Sequence, residues 1–116
     1  MYRMSPQTLQ ALEQHHRRQF CKACLKDLKE EGYQVNPDDE NQVDEFVGIS
    51  GRLEAKGLSS ESIQYRYFML YFIIGSPFLQ NKGIHHHLLS CKTGEARCEY
   101  LEELIDVNLQ SRVKAS

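Results

Sequence analysis

The stretch Tyr67–Ile74 constrains the fold more than any other part of this sequence, because it reads YFMLYFII and contains no charged residue. A helix that is apolar on every face must be surrounded by other elements. Aromatic and isoleucine side chains also favour β-strands. However, the chain has no second alternating segment with which such a strand could pair. We therefore predict a buried central helix over residues 60–75.

Amphipathic helices are predicted on both sides of this run. The expected N-caps are Ser5, Asn36 and Thr93, and the expected ends of the first two helices are Gly32 and Gly57. A short helix is predicted for Ile84–Ser90. Apolar residues recur every three or four positions, as buried helical stripes do. The stripes are Leu9, Leu12, His16, Phe20, Cys24 and Leu28, then Val43, Phe46, Val47 and Leu53, then Ala96, Tyr100, Leu101, Leu104, Ile105, Asn108 and Leu109. The sequence thus predicts an all-α fold, a single-domain bundle of four to five helices over residues 1–116 around the central helix.

Composition narrows the class of protein. Hydrophobic residues make up 41% and charged residues 26%, as in ordinary globular proteins. The net charge of -2 gives no electrostatic reason to expect nucleic acid as a partner. The longest apolar run is less than half of the about 20 residues that a membrane span needs. Residues 1–7 show no secretory signal, and four cysteines in such a chain suggest reduced thiols, so we expect a cytoplasmic protein without membrane partners.

The cysteines form one close pair, Cys21 and Cys24, and one looser pair, Cys91 and Cys98. Redox C-x-x-C motifs lie at a helix N-terminus, where the helix dipole lowers the thiol pKa. Cys21 instead lies more than three turns inside the first predicted helix. We interpret Cys24 as a core residue and Cys21 as a boundary residue.

The run His85-His86-His87 is the most conspicuous polar motif. Neighbouring residues on a helix point about 100° apart, so three such imidazoles cannot close on one ion unless the segment is irregular. Cys91 follows His87 at the four-residue spacing that a helical metal site uses. We predict no metal and no cofactor. The alternative is a metal-binding sensor that uses Cys21, Cys24, His85, His86, His87, Cys91 and Cys98.

No catalytic constellation is visible. The chain has no nucleophile elbow and no glycine-rich phosphate loop. The best carboxylates fall mainly on the outer face of the last helix, where solvation explains them: Glu99, Glu102, Glu103 and Asp106. We predict no catalytic residues and a protein that is not an enzyme.

The region around the central helix carries more aromatics than a small helical core can fully hide. Arg66 lies at its edge and needs a carboxylate or a helix end, because an unpaired buried guanidinium is very costly. Tyrosine is enriched at interfaces because it is amphipathic. The predicted partner-binding residues are Tyr65, Arg66, Tyr67, Phe68, Tyr71 and Phe78. A homodimer through this aromatic face is the alternative to a foreign partner.

Two groups of opposite charge lie close together in the sequence. Ordinary solvation accounts for most such groups, but a polarised surface would steer a charged partner. The cationic group is Arg18, Lys22, Lys26 and Lys29, and the acidic group is Asp38, Asp39, Glu40, Asp44 and Glu45.

The order of these features also resembles a known group of proteins. The second helix ends in EAKGL at residues 54–58 and is followed by SSESI, then by the aromatic helix that closes on Gly75 and by a last helix with Tyr100-Leu101. Over residues 15–109 this pattern resembles the small all-helical proteins found in bacterial gene clusters alongside type VI secretion effectors. The resemblance implies an accessory or chaperone-like partner of an effector. The histidine run and the cysteines depart from the pattern.

We therefore expect a non-enzymatic interaction module, a cytoplasmic adaptor or co-chaperone that binds a larger bacterial protein such as a secreted effector or toxin. An immunity protein that blocks a toxin is the second hypothesis. The metal-binding sensor is the third.

Overall fold

Every regular element in the described part of the chain is a helix. A computed structural model describes the backbone of residues 6–115 and the side chains of Gln7 and of residues 10–110. The helices are α1 (Pro6–Glu30), α2 (Glu40–Ala55), α3 (Glu61–Ile74), α4 (Ser76–Leu79), α5 (Lys82–Ser90) and α6 (Gly94–Ala115). The all-α prediction is confirmed. The described residues form six helices instead of four or five, because a single turn, α4, follows α3.

Glycines end α1 and α2 in the same way. Gly32 and Gly57 have φ values of 101° and 84°, a left-handed conformation that costs glycine little. At the end of α2, the Gly57 N–H donates to the Glu54 carbonyl at 3.0 Å and the Leu58 N–H donates to the Leu53 carbonyl at 2.8 Å. This pair of bonds is the Schellman motif, which satisfies carbonyls that the helix leaves open. The predicted ends at both glycines are confirmed.

The start of α2 differs from the prediction that Asn36 is its N-cap. Asn36 instead begins a tight turn, in which the Asp39 N–H donates to the Asn36 carbonyl at 3.1 Å. Asp39 caps the helix, because its Oδ1 accepts from the Asn41 N–H at 2.9 Å. Asparagine and aspartate both suit either position. The Gln42 side chain decides between them, since its Oε1 accepts from the Asn36 N–H at 2.7 Å and holds the turn outside the helix.

The last two helices begin with side-chain caps. The Asn81 Oδ1 accepts from the Ile84 N–H at 2.9 Å at the start of α5. The Thr93 hydroxyl accepts from the Ala96 N–H at 3.0 Å at the start of α6, as predicted. Ser5, the predicted cap of α1, lies outside the described residues.

The chain divides into two compact units, one up to Arg52 and one from Leu53 onward. The single-domain assignment for residues 1–116 stays a prediction. Each unit has its own set of buried apolar side chains. The buried set of the first unit is Cys21, Cys24, Leu25, Leu28, Val35, Val43, Phe46 and Ile49. That of the second is Leu53, Leu58, Ile63, Tyr67, Phe68, Leu70, Ile73, Phe78, Leu88, Leu101 and Ile105.

The stripe predicted for α1 is only half correct. Its C-terminal part is buried, but Leu12 is 38% exposed and His16 is exposed. Cys21 is fully buried, so the interpretation of Cys21 as a boundary residue is wrong. The buried positions Cys21, Cys24, Leu25 and Leu28 follow the three- and four-residue spacing of one helix face. The sequence stripe missed Cys21 and Leu25 on this face.

Within the second unit, α3 packs mainly against α6 and, to a smaller extent, against α4. Tyr67, Phe68, Leu70 and Ile73 are buried. The side chains between them are only half-buried: Met69, Tyr71, Phe72 and Ile74. No helix in the described part of the chain is both long and apolar enough to cross a membrane.

Candidate partner-binding site

The six predicted partner-binding residues fall into two classes. Tyr67, Phe68 and Phe78 are buried, with Phe68 and Phe78 fully excluded from solvent. Tyr65, Arg66 and Tyr71 are half-buried. The structure brings Tyr67 and Phe78 together, with ring centroids 4.7 Å apart. The surface that a partner could touch is therefore carried by the half-buried class.

Arg66 is held by two elements. Its Nε and Nη2 donate to Glu102 Oε1 on α6 at 2.8 and 2.5 Å. Its Nη1 donates to the Ser62 carbonyl at 3.0 Å and also to the Ser62 hydroxyl, one turn earlier on α3. The expectation that Arg66 pairs with a carboxylate is confirmed. Four hydrogen bonds fix the guanidinium, so it stabilises the α3–α6 packing whatever else it contacts.

A second polar connection joins α3 to α5. The Tyr67 hydroxyl lies 2.7 Å from His85 Nε2, and His85 Nδ1 lies 2.6 Å from the Asn81 carbonyl. A carbonyl can only accept, so Nδ1 carries a hydrogen, and in the neutral imidazole Nε2 accepts from the Tyr67 hydroxyl. The His85 ring also lies 5.6 Å from the ring of Phe78. His85, the first residue of the histidine run, thus packs against α3 and α4.

The partly exposed apolar side chains of α3 lie in its C-terminal half, among the buried Leu70 and Ile73. Tyr71 and Phe72 are adjacent and half-buried, and their rings meet edge to face with centroids 5.6 Å apart. Met69 and Ile74 are also half-buried. We call Met69, Tyr71, Phe72 and Ile74, which are spread around the helix axis, the α3 apolar segment. Partly exposed large apolar side chains in one short segment are typical of interaction surfaces.

A groove between α5 and α6 was not predicted from the sequence. It has a volume of about 500 Å³ and lies within the second unit. The imidazole of His87 stacks on the ring of Tyr100 with centroids 4.2 Å apart. The groove is lined by His87, Cys91, Ala96, Glu99, Tyr100, Glu103, Leu104 and Val107. In the sequence, only the four-residue spacing of His87 and Cys91 indicated that these two side chains lie on one side of α5, the side that faces α6.

Partial burial raises the pKa of the Tyr100 phenol above its usual value, and the nearby Cys91 contributes in the same direction. The phenol therefore stays protonated beyond its ordinary range. The Cys91 thiol donates to the His87 carbonyl at 3.4 Å, at the C-terminal end of α5. The two carboxylates that line the groove, those of Glu99 and Glu103, lie on α6.

Ion pairs connect part of the two charged groups of the first unit. Arg18 contacts Glu40 and also Asp44, the latter with an Nη1–Oδ1 distance of 2.6 Å. The Lys22 Nζ lies 3.9 Å from Glu40 Oε1. The sequence suggested two separate charged groups that could steer a charged partner. In the structure the two groups are joined by ion pairs at these residues. Such exposed pairs contribute about 0 to 1 kcal/mol each to stability.

The metal alternative gains no geometric support. Among the described residues, no group of three or more histidine, cysteine, aspartate or glutamate side chains is arranged to hold an ion. Burial raises the pKa of the Cys21 thiol to about 11, against the weaker opposing effect of Arg17 and Arg18. A redox-active cysteine needs a lowered pKa. Cys21 therefore has the properties of a structural residue.

Comparisons with protein-family models, with curated proteins and with solved structures found no match to this chain.

Proposed function

We propose that this protein is a non-enzymatic interaction module that binds another protein through the α3 apolar segment. The single observation that carries the proposal is the partial exposure of Met69, Tyr71, Phe72 and Ile74, four large apolar side chains within six residues. Burying such a surface against a partner is favourable by about 25 cal/mol per Å² of apolar area. In this proposal, the rest of α3 forms the centre of a helical bundle.

The chemistry of the described residues agrees with a binding role. The best-placed polar side chains of the second unit, Arg66 and His85, are engaged in hydrogen bonds that hold helices together. Their partners Glu102 and Tyr67 are engaged by the same bonds. Side chains that hold helices together in this way stabilise the conformation of the exposed surface.

The biological form of the proposal is a cytoplasmic adaptor or co-chaperone of a larger bacterial protein, such as a type VI secretion effector. The resemblance in helix ends and aromatics over residues 15–109 motivates this form. An adaptor leaves its effector active, whereas an immunity protein abolishes the effector's activity. The two roles would use the same kind of surface.

The test is isolation of a tagged full chain from its source organism, with mass spectrometry of whatever co-purifies in stoichiometric amount. We expect one larger protein to be retained by the wild-type chain and lost from the variant Tyr71→Ala/Phe72→Ala. Leu89→Ala is the matched control, because Leu89 is 42% exposed but lies on α5. Recovery of the wild-type chain without a stoichiometric partner would overturn the proposal. Co-expression of the partner in a toxicity assay then separates the adaptor from the immunity protein.

A further inference from the structure

We infer that the groove between α5 and α6 binds a basic, amphipathic segment of the partner protein, with arginine or lysine side chains against Glu99 and Glu103. This inference rests on the proposed interaction function and adds the chemistry of the segment that is recognised.

The first argument is the charge of the groove. Glu99 and Glu103 both line it, and both are exposed. They are four residues apart on α6 and therefore lie on the same face, where like charges repel. Within the described side chains, neither carboxylate forms an ion pair, and no lysine or arginine lines the groove. The neighbouring Glu102, by contrast, is paired with Arg66.

The second argument is the apolar and aromatic surface beside these carboxylates. Val107 is 62% exposed, and it lines the same groove as Tyr100 and Leu104. The rings of His87 and Tyr100, which stack on each other, line the same groove. A guanidinium group packs well on an aromatic ring while pairing with a carboxylate. Cationic side chains that alternate with apolar ones would match both features.

These observations select one occupant. A nucleic acid or another polyanion would be repelled by Glu99 and Glu103. A purely apolar helix would leave both carboxylates desolvated without a partner, which is costly. A segment that combines cationic and apolar side chains satisfies the carboxylates and covers Val107 at the same time.

The test measures binding of two labelled peptides of about 14 residues, a length at which helices begin to be stable. In one peptide, leucines recur every three or four residues and arginines occupy positions between them. In the other peptide, each arginine is replaced by glutamate. Fluorescence anisotropy with the intact wild-type chain is expected to show saturable binding of the arginine peptide only. Raising the salt concentration should weaken that binding, because exposed charges are screened.

The decisive variant is Glu99→Gln/Glu103→Gln. We expect its Kd for the arginine peptide to rise roughly fivefold to tenfold, the combined effect of two exposed ion pairs. The control is Glu31→Gln/Glu61→Gln, which removes the same charge from two exposed positions that do not line the groove. It is expected to change the Kd less than about twofold. Thermal unfolding of each variant checks that the fold is retained.

Three outcomes would overturn the inference. The arginine peptide would show no saturable binding, or the control variant would raise its Kd as much as Glu99→Gln/Glu103→Gln does. The third is that the peptide does not bind because the chain forms a dimer through this groove. Failure here is separable from failure of the proposed function. A native complex that is lost with Tyr71→Ala/Phe72→Ala but unchanged by Glu99→Gln/Glu103→Gln would refute the groove alone. Absence of any native complex would refute the interaction function itself.

Discussion

Tyr67 and His85 are joined by a hydrogen bond of 2.7 Å, which links α3 to α5 in the second unit. The bond is backed by a second one from His85 Nδ1 to the Asn81 carbonyl at 2.6 Å. Asn81 also caps α5, so one side chain and one carbonyl of the same residue position both the helix and its histidine. The connection joins α3, which carries the α3 apolar segment, to α5, one of the two helices that form the α5–α6 groove.

The first prediction concerns this bond. Replacement Tyr67→Phe removes the hydroxyl and leaves His85 Nε2 without its partner. We expect the free energy of unfolding to fall by about 1 kcal/mol, the usual value of one such bond. Urea denaturation followed by circular dichroism would measure the loss. Tyr100→Phe is the control, with an expected change of less than about 0.5 kcal/mol, because it also removes a tyrosine hydroxyl but keeps the ring that stacks on His87. Equal losses in both variants would contradict the prediction.

The second prediction concerns Arg66 and Glu102. In a double-mutant cycle with Arg66→Met and Glu102→Gln, we expect a coupling energy of about 0.5 to 1 kcal/mol, because the pair is only partly shielded from solvent. The side chains are 27% and 52% exposed. The same cycle with Glu103→Gln in place of Glu102→Gln should give a coupling near zero. A coupling that persists at high salt would argue against a solvent-screened pair.

The third prediction concerns the reactivity of the four cysteines. Cys21 and Cys24 are buried, whereas Cys91 and Cys98 are half-buried. We expect the second pair to react first with iodoacetamide at pH 8, because access to the reagent and the thiolate fraction both limit the rate. Mass spectrometry of peptides after brief exposure would show which sites are modified. In denaturant all four thiols should react, and early modification of Cys21 in the native chain would refute its assignment to the core.

The fourth prediction follows from the raised pKa of Cys21. Its thiol has a pKa of about 11 in the folded chain, compared with 9.0 as the ordinary value. Between these values the unfolded chain releases the Cys21 proton while the folded chain retains it, so the unfolded state binds fewer protons and stability falls as pH rises. The contribution is complete below pH 9 and is lost as pH rises through about 11. Unfolding free energies of wild type and Cys21→Ala, measured from pH 8 to pH 11, should show a steeper decline for wild type.

The fifth prediction concerns the end of α2. Gly57 has a φ of 84°, so Gly57→Ala forces a side chain into the left-handed region and should cost about 1 to 2 kcal/mol. Nothing lies within 4 Å of the added Cβ, so the cost is conformational and not steric. Gly94→Ala is the matched control. Gly94 begins α6 without a positive φ, and its added Cβ also meets nothing, so that variant should be neutral or slightly more stable. Thermal unfolding would measure both.

Helix ends were predictable where one local signal acts alone. Gly57 with Leu58 and the Thr93 cap could be recognised because glycine at C′ and threonine at an N-cap are local features. The start of α2 was not predictable in this way, because Asn36 and Asp39 are both good caps. The choice depends on Gln42, six positions after Asn36, whose side chain binds the turn. Local propensity does not rank such competing bonds.

Burial was less predictable than helix position. Apolar periodicity finds a stripe, but it does not show whether another element covers that stripe. Leu12 and Leu28 belong to the same predicted stripe, yet Leu12 is 38% exposed and Leu28 is buried. For the same reason the sequence could identify Arg66 as a residue that needs a carboxylate but could not identify Glu102. The α5–α6 groove depends on the distance between two helices, which no single segment encodes.

The position of Cys91 has a practical consequence. Its thiol lines the α5–α6 groove, whereas the thiols of Cys21 and Cys24 are enclosed. With Cys98 replaced by serine, a fluorophore or spin label could be attached at this one place under native conditions. The chain contains no tryptophan. A tryptophan carried by an incoming segment would therefore be the sole indole near such a label, and quenching between them would report when the groove is occupied and how fast it empties.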